Sequence, residues 1–407
     1  MSIIYNIGIY LYRWLIGIVS LFNSKASLWI SGRKNWKQKL KIATEGAEHL
    51  IWFHAASLGE FEQGRPLIER LKKEKPECFV LLTFFSPSGY EVQKNYKEAD
   101  YVCYLPSDTK ANTKAFISIA NPKQAFFIKY EFWYNYLSEL KKTNTPLYLI
   151  SGIFRPRHIF FKPYGKWFKK QLENFDKFYL QDQESLELIN SLAFNNTVLT
   201  GDTRFDRVSQ IAENSKNIDR VKDFVSNKKC LVVGSSWPVE EDMLTEYINN
   251  NLDYKYIIAP HEINESHIKD IESKLKVPFQ RWSDKKENAK ALVLIIDNIG
   301  MLSSLYKYAD FAYIGGAFGS GLHNILEAAV YGIPVVFGPK ISRFKEATDL
   351  INAKSAFSVA NKEEFFEKLD LLFHDSKKTI ELGENAKQFI YKSKGATNIV
   401  WKDIYKD

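Results

Sequence analysis

Tyr313-Ile314-Gly315-Gly316-Ala317-Phe318-Gly319-Ser320-Gly321-Leu322-His323-Asn324-Ile325-Leu326-Glu327 reads as an apolar strand, a loop with four glycines in seven residues, and a helix. Glycines permit positive φ and let a ligand approach the backbone closely. Asn324 and Glu327 are three residues apart and would share one helix face, a pair suited to a ribose diol or a base edge. A strand that runs through such a loop into a helix marks a nucleotide-binding α/β unit. The spacing is not G-x-G-x-x-G and lies late in the chain, which disfavours a dinucleotide dehydrogenase. No G-x-x-x-x-G-K-[ST] occurs, which excludes nucleotide hydrolysis by a P-loop.

Outward from this loop the same alternation recurs. Leu50–His54, Phe79–Phe84, Tyr101–Leu105, Ala125–Lys129, Leu147–Ser151 and Phe178–Gln181 read as strands separated by helical patterns such as Glu62–Lys75 and Thr109–Ala120. Continuous apolar strands alternating with helices predict a parallel sheet covered on both faces. The polar stretch Asp206–Lys229 interrupts the series. It restarts with Cys230–Gly234, Tyr256–Ala259, Leu292–Ile296, Phe311–Ile314 and Val335–Gly338. A chain of 407 residues exceeds what one core usually organises. The expectation is two doubly wound α/β domains with a cleft between them. An anchor helix occupies 1–24, a first domain 25–205 and a second domain 206–407, with the last helices free to pack back on the first. In such sheets ligands sit beyond the carboxyl ends of strands.

Three further segments fall just after strands. In His54-Ala55-Ala56-Ser57-Leu58-Gly59-Glu60, small residues let amide groups approach an anion at a helix N-terminus. Glu60 there is either a general base toward a hydroxyl or a cap on the helix dipole. In Lys129-Tyr130-Glu131-Phe132-Trp133-Tyr134-Asn135, Glu131 carries the same two readings. Gly234-Ser235-Ser236-Trp237 precedes a helix and suits a phosphate, although serine also caps helices routinely. His261 and Glu262 follow Ala259-Pro260 at another strand end. No His, Cys, Asp or Glu cluster has metal-ligand spacing, so no metal or other cofactor is expected.

The net charge is +8 and the pI about 9.0, which favours anionic partners. Cys78, Cys103 and Cys230 are widely spaced in apolar runs and are expected to be reduced, buried thiols. Ile3–Phe22 is predominantly apolar, carries a single charge, Arg13, and is long enough to cross a bilayer. Tyr5, Tyr10, Tyr12 and Trp14 suit a membrane interface. The basic flank Lys25, Arg33, Lys34, Lys37, Lys39 and Lys41 places the following domain on the cytoplasmic side. Either a spanning anchor or an in-plane amphipathic helix satisfies this pattern. Arg155–Lys170 (RPRHIFFKPYGKWFKK) interleaves cations with aromatics. With the apolar N-terminus, that favours a phosphorylated amphiphile at a membrane over nucleic acid.

These motifs, in this order, resemble the transferases that add 3-deoxy-D-manno-octulosonic acid (Kdo) to the lipid A precursor in lipopolysaccharide assembly. The resemblance rests on HAASLGE at His54–Glu60, KYEFWYN at Lys129–Asn135, GDTRFD at Gly201–Asp206, GSSW at Gly234–Trp237, DNIGML at Asp297–Leu302 and the block Gly315–Glu327. It implies a GT-B fold of two Rossmann-like domains, CMP-Kdo as a donor substrate, a disaccharide phosphate lipid as acceptor, and the inner membrane as location. It also implies an inverting reaction with Glu60 as the base and Glu131 supporting the acceptor. The donor would be held by Ser235, Ser236, His261, Gly300, Met301, Gly315, Gly316, Asn324 and Glu327. Ser57, Gly59, Arg155 and Arg157 would face the acceptor. Where the family commonly has an arginine, this chain has His261, which substitutes a titratable cation for a permanent one. A GT-B transferase using a UDP-sugar is the competing expectation. A membrane adaptor with a decayed nucleotide fold is disfavoured by the intact Glu60, Glu131, Asn324 and Glu327.

Overall fold

The computed structural model describes residues 1–319 and 321–405, so Ser320 of the glycine loop lies outside the described residues. The chain forms two compact units. One is Met1–Arg207 together with Gly395–Asp407, and the other is Val208–Lys394.

The first unit holds β1 (Leu50–Ala55), β2 (Phe79–Phe84), β3 (Tyr101–Tyr104), β4 (Gln124–Ile128), β5 (Leu147–Gly152), β6 (Lys177–Leu180) and β7 (Thr197–Leu199). They form one sheet in the order β3-β2-β1-β4-β5-β6-β7, with every adjacent pair parallel. Successive side chains of a strand point to opposite faces. Trp52 therefore enters one core with Phe127, Tyr136 and Phe178. Its neighbour Phe53 enters the other with Phe61, Phe126 and Tyr179. Both faces are dry, which is why these strands read as unbroken apolar runs.

The second unit repeats the scheme with β8 (Cys230–Ser236), β9 (Lys255–Pro260), β10 (Phe279–Arg281), β11 (Val293–Ile295), β12 (Phe311–Ile314), β13 (Val335–Phe337) and β14 (Ala356–Ser358). Their order is β10-β11-β9-β8-β12-β13-β14, again all parallel. In both sheets the winding direction reverses beside the first strand: at β1/β4 in one unit and at β8/β12 in the other. At such a point neighbouring crossovers leave in opposite directions and open a crevice at the carboxyl ends. The sequence reading finds eleven of these strands. It misses β7, β10 and β14, which are three residues each and lie at sheet edges.

Three expectations need correction. Arg33 is not part of an exposed basic flank. Its guanidinium donates to the carbonyls of Leu105, Trp29 and Phe85 at 2.8, 2.9 and 2.8 Å. It also lies 3.7 Å over the Trp29 ring, and burial pushes its pKa down to about 9. The aromatics of Arg155–Lys170 do not line an open basic face. Phe160 packs on Phe132, and Trp167 packs on Tyr134 and Tyr5, with only Tyr164 largely exposed. Of the cysteines, Cys78 and Cys230 are buried but Cys103 is only partly so; all three are free.

The N-terminal helix, Ser2–Val19, has no buried residue. Among the described residues it is the helix long and apolar enough to cross a membrane. It is nevertheless tied along the first unit. Tyr5 donates to Asp108 at 2.7 Å, Asn135 donates to Asn6 at 3.0 Å, and the Tyr12 ring packs on Trp29 and Phe85.

The last helix, Ala396–Tyr405, belongs to the first unit and buries Val400 and Trp401 in its core. Asp206 caps its start, accepting from the amides of Gly395 at 2.5 Å and Thr397 at 2.7 Å and from the Thr397 hydroxyl at 2.7 Å. An N-cap of this kind contributes about 1–2 kcal/mol. Replacing Asp206 with Ala is therefore predicted to lower stability by about that amount. Hydrogen exchange should speed up first in Ala396–Tyr405; unchanged protection there would contradict the role given to the cap.

Candidate active site

The two switch points carry the residues singled out from sequence. In the first unit β1 leads into the turn before the helix Leu58–Glu74, and Ser57 stands at that helix's N-cap. Glu60 folds back onto the turn, where its Oε2 accepts from the amides of Ala56 at 2.7 Å and Ser57 at 3.2 Å. The carboxyl is 6% exposed. Burial, and then the charge of Glu131, outweigh these amides and raise its pKa to about 7. The contacts are those of a helix cap, and the same geometry is compatible with a proton acceptor. Two amides fix one oxygen, while the poor solvation that raises the pKa makes the group a proton acceptor near neutrality. Gly59 lies in the first turn of the same helix, and a Cβ there would meet nothing within 4 Å.

Glu131 follows β4, the strand next to β1. It is 8% exposed. Its Oε2 accepts from the Trp133 indole at 2.6 Å and lies 3.3 Å from His54 Nε2. His54, fully buried at the end of β1, is braced from behind by Thr83, whose hydroxyl lies 2.9 Å from Nδ1. The sequence reading gives His54 no role of its own. The signal was present, because a polar side chain inside an otherwise apolar buried strand needs a partner. Lys129, between β4 and Glu131, holds φ +71°, a conformation that costs of order 1 kcal/mol or more in a non-glycine residue and collects at functional sites.

The two arginines expected to face an acceptor divide. Arg155 is engaged within the first unit, pairing with Asp182 at 3.0 Å and Glu184 at 3.2 Å. Arg157 is exposed in the same loop after β5.

In the second unit, β8 ends in Gly234-Ser235-Ser236, with Ser235 at φ +54°. The glycine loop after β12 presses against this turn. A Cβ on Gly315 would stand 2.3 Å from the Ser235 carbonyl oxygen, and one on Gly316 2.2 Å from that of Gly321, so neither position admits a side chain. Gly316 also needs its φ of +95°. The tie between turn and loop is Glu240, a residue the sequence reading does not single out. Its carboxylate accepts from the amides of Trp237 at 2.8 Å and Gly316 at 2.7 Å. Next to it Glu241 is completely buried, accepting from Ser236 at 2.8 Å and facing His267 Nε2 at 2.7 Å.

Asn324 is not on a helix face as the spacing suggested. It precedes the short helix Leu326–Ala329 and accepts from the Leu326 amide at 3.2 Å. It also donates to Glu327 at 2.9 Å, so the two side chains still meet. The loop with Gly300 (φ +98°) and Met301 leads to Leu302, whose Cδ1 lies 3.2 Å from the place of a Gly234 Cβ. His261 follows β9 and donates its amide to Ser236 at 3.0 Å. Ser235, Ser236, His261, Gly300, Met301, Gly315, Gly316 and Asn324 thus gather at the carboxyl ends of β8, β9, β11 and β12.

Residues 34–207 match the family model described as 3-deoxy-D-manno-octulosonic-acid transferase (kdotransferase). A 3-deoxy-D-manno-octulosonic acid transferase of Rickettsia felis is 27% identical over 86% of this chain and 78% of its own length. One of Chlamydia trachomatis is 26% identical over 90% of this chain and 89% of its own. Among solved structures, a UDP-GlcNAc 2-epimerase of Neisseria meningitidis superposes with a TM-score of 0.62 at 14% identity, covering 88% of this chain and 99% of that one. MurG of Acinetobacter baumannii superposes with a TM-score of 0.55 at 12% identity, over 88% and 99%. Those two likenesses are of fold, the GT-B class of two successive Rossmann-like units. Residues 34–207 thus match the model of the 3-deoxy-D-manno-octulosonic-acid (Kdo) transferase family, Kdo transferases resemble the chain over most of its length, and the fold is of the GT-B class.

Proposed function

We propose that this protein transfers Kdo from CMP-Kdo to a hydroxyl of the lipid A precursor, with inversion and with Glu60 as general base. The observation that carries the proposal is the buried Glu60 carboxyl, with two amides on one oxygen and a pKa near 7. Glu60 takes the acceptor proton, and the freed oxygen attacks the anomeric carbon of Kdo through an oxocarbenium-like state. The anomeric C–O bond to the phosphate breaks and CMP departs. The turn at Ser235 and the amides at the start of the helix Pro238–Asn250 support its charge. Asn324 and Glu327 suit the ribose or base. Glu131, oriented by His54 and Trp133, supports the acceptor side. The CMP moiety already provides a leaving group, so the scheme needs no cofactor.

The match of residues 34–207 to the Kdo transferase family model and the likeness to the relatives named above support Kdo as the sugar. CMP as nucleotide and a lipid A precursor as acceptor are the finer part of the reading. Replacing Glu60 with Gln is predicted to reduce kcat by a factor of about 10² to 10⁴ while CMP still binds. Isothermal titration with CMP beside a turnover assay separates these effects, and a variant with wild-type turnover would remove Glu60 from the mechanism. The base must be ionised. The wild-type rate is therefore predicted to fall as pH drops below about 7, following the raised pKa of Glu60. A rate that is flat down to the ordinary carboxylate range would contradict that assignment.

We further infer that the protein works at the cytoplasmic face of the inner membrane, with the helix Ser2–Val19 lying in the interface rather than crossing it. Tyr5 and Tyr12 both contact the first unit, two turns and about 10 Å apart. A helix held over that length runs along the domain surface. It presents Ile3, Ile7, Leu11, Trp14, Leu15 and Ile18 outward, all large and exposed. An apolar face with interfacial aromatics suits shallow insertion. Changing both Ile7 and Leu11 to Asp is predicted to abolish flotation with anionic liposomes while leaving CMP binding intact. Undiminished flotation would contradict this placement.

A further inference from the structure

The loop that carries Glu131 runs into the helix Tyr134–Lys142, whose N-cap residue, Trp133, makes no capping hydrogen bond with its side chain. The first amides of a helix have no partner within it. Asp108, 27 positions before Asn135 and only 3% exposed, supplies what the local sequence lacks. Its Oδ2 accepts from the Asn135 amide at 3.1 Å and its Oδ1 from the Tyr136 amide at 3.1 Å. The Asn135 side chain closes the joint by donating to the Asp108 carbonyl at 2.5 Å. Asp108 stands between β3 and the helix Lys110–Ala120. The helix start beside Glu131 is therefore held from a separate segment of the first unit.

A further donor to the same carboxylate comes from the N-terminal helix, Ser2–Val19. Tyr5 donates to Oδ2 at 2.7 Å, and its ring packs on Tyr134 at 5.4 Å. Asn6 accepts from the Asn135 side chain at 3.0 Å. Farther along, the Tyr12 ring lies 6.3 Å from Phe85, Phe85 stacks on Trp133 at 4.7 Å, and the Trp133 indole donates to Glu131 at 2.6 Å. On the 3.6-residue repeat Tyr5 and Tyr12 fall on one side of this helix and Ile3, Ile7 and Trp14 on the opposite side. Those three are exposed. One side therefore reaches the Glu131 loop while the other is open to lipid. With no buried residue the helix draws little from tertiary packing, and helices of this length are marginal in water without it. Tyr5 stands in the first turn, where helix ends fray. At an apolar boundary unpaired backbone groups are costly, which favours the complete helix. A bilayer thus discriminates between the complete and the frayed helix, and such a difference in affinity is what lets it shift the equilibrium.

We propose that Asp108 and Tyr5 are positioning residues for the reaction and that a phospholipid bilayer acts through them. By completing the helix Ser2–Val19 on its surface, the bilayer holds Tyr5 on Asp108. Asp108 in turn fixes the start of Tyr134–Lys142 and so sets Glu131. Both residues act through Glu131 and its loop. The inference rests on the interfacial placement of Ser2–Val19 and the acceptor-side role of Glu131 proposed above, and adds what that placement does for the site.

The test is hydrogen exchange of the full-length protein, read in the peptide that carries Asn135 and Tyr136, with and without vesicles of phosphatidylethanolamine and phosphatidylglycerol. Flotation is measured on the same vesicles. Wild-type exchange in that peptide is expected to slow about tenfold on vesicles, the worth of one hydrogen bond to a charged group, while the strands of the second unit do not respond. Tyr5→Phe is expected to float as the wild type does, and to exchange at the faster rate whether or not vesicles are present. Its kcat on acceptor in those vesicles is expected to fall about tenfold, with the Kd for CMP unchanged. Asp108→Asn is expected to behave alike; Tyr5→Phe, which removes one hydroxyl from a half-buried site, carries the test where Asp108→Asn fails to fold. Wild-type protein that floats yet exchanges at one rate with and without vesicles would overturn the inference while leaving the interfacial placement standing. So would a Tyr5→Phe variant with the wild-type response, or one with faster exchange and an unchanged kcat. Wild-type protein that does not float would overturn the placement, and the inference with it.

Discussion

Burying two carboxyl groups beside one another is the constraint on which the first unit is built. Glu60 and Glu131 are 6% and 8% exposed, and they stand at the carboxyl ends of adjacent parallel strands. A buried carboxylate is costly unless it is hydrogen-bonded, and a second one nearby raises the cost. The fold answers each differently. Glu60 receives two backbone amides at a helix start, and Glu131 receives an indole N–H and a buried histidine. The remaining imbalance appears as the raised pKa of Glu60. A scaffold optimised only for stability would place apolar groups here, and a perturbed carboxyl of this kind is what the proposed proton transfer calls for.

The second unit meets a related demand with backbone rather than charge. Its switch point brings the glycine loop so close to the turn after β8 that side chains at Gly315 and Gly316 have no room. Glu240 bridges the two segments through their amides. Turn and loop are thereby held against each other, with the His261 and His323 rings stacked beside them. Backbone held in this way is what the proposed donor site calls for, since groups fixed in advance lower a barrier without reorganising.

Much of this was legible in the sequence because two-sided burial leaves a plain mark. Runs such as Leu50–Ala55 and Phe311–Ile314 are apolar throughout, and the motifs follow them directly. What stayed hidden has physical reasons. Thr197–Leu199 is only partly buried, and three residues at an edge carry no periodicity of their own. Arg33 looks like any basic-flank residue, since its three carbonyl partners lie up to 72 positions away. Asn324 and Glu327 have helical spacing, yet the helix begins only at Leu326. The rings of Trp237, His261 and His323 meet from three strand ends, and no local pattern announces it.

The central proposal is that this protein transfers Kdo from a cytidine nucleotide to a phosphorylated lipid. Its most direct test is incubation of the purified protein with tetraacylated lipid A precursor and either CMP-Kdo or a UDP-sugar, followed by mass spectrometry of the lipid. The account predicts a lipid heavier by one or more Kdo residues in the first reaction and an unchanged lipid in the second. Transfer from the UDP-sugar with none from CMP-Kdo would contradict it.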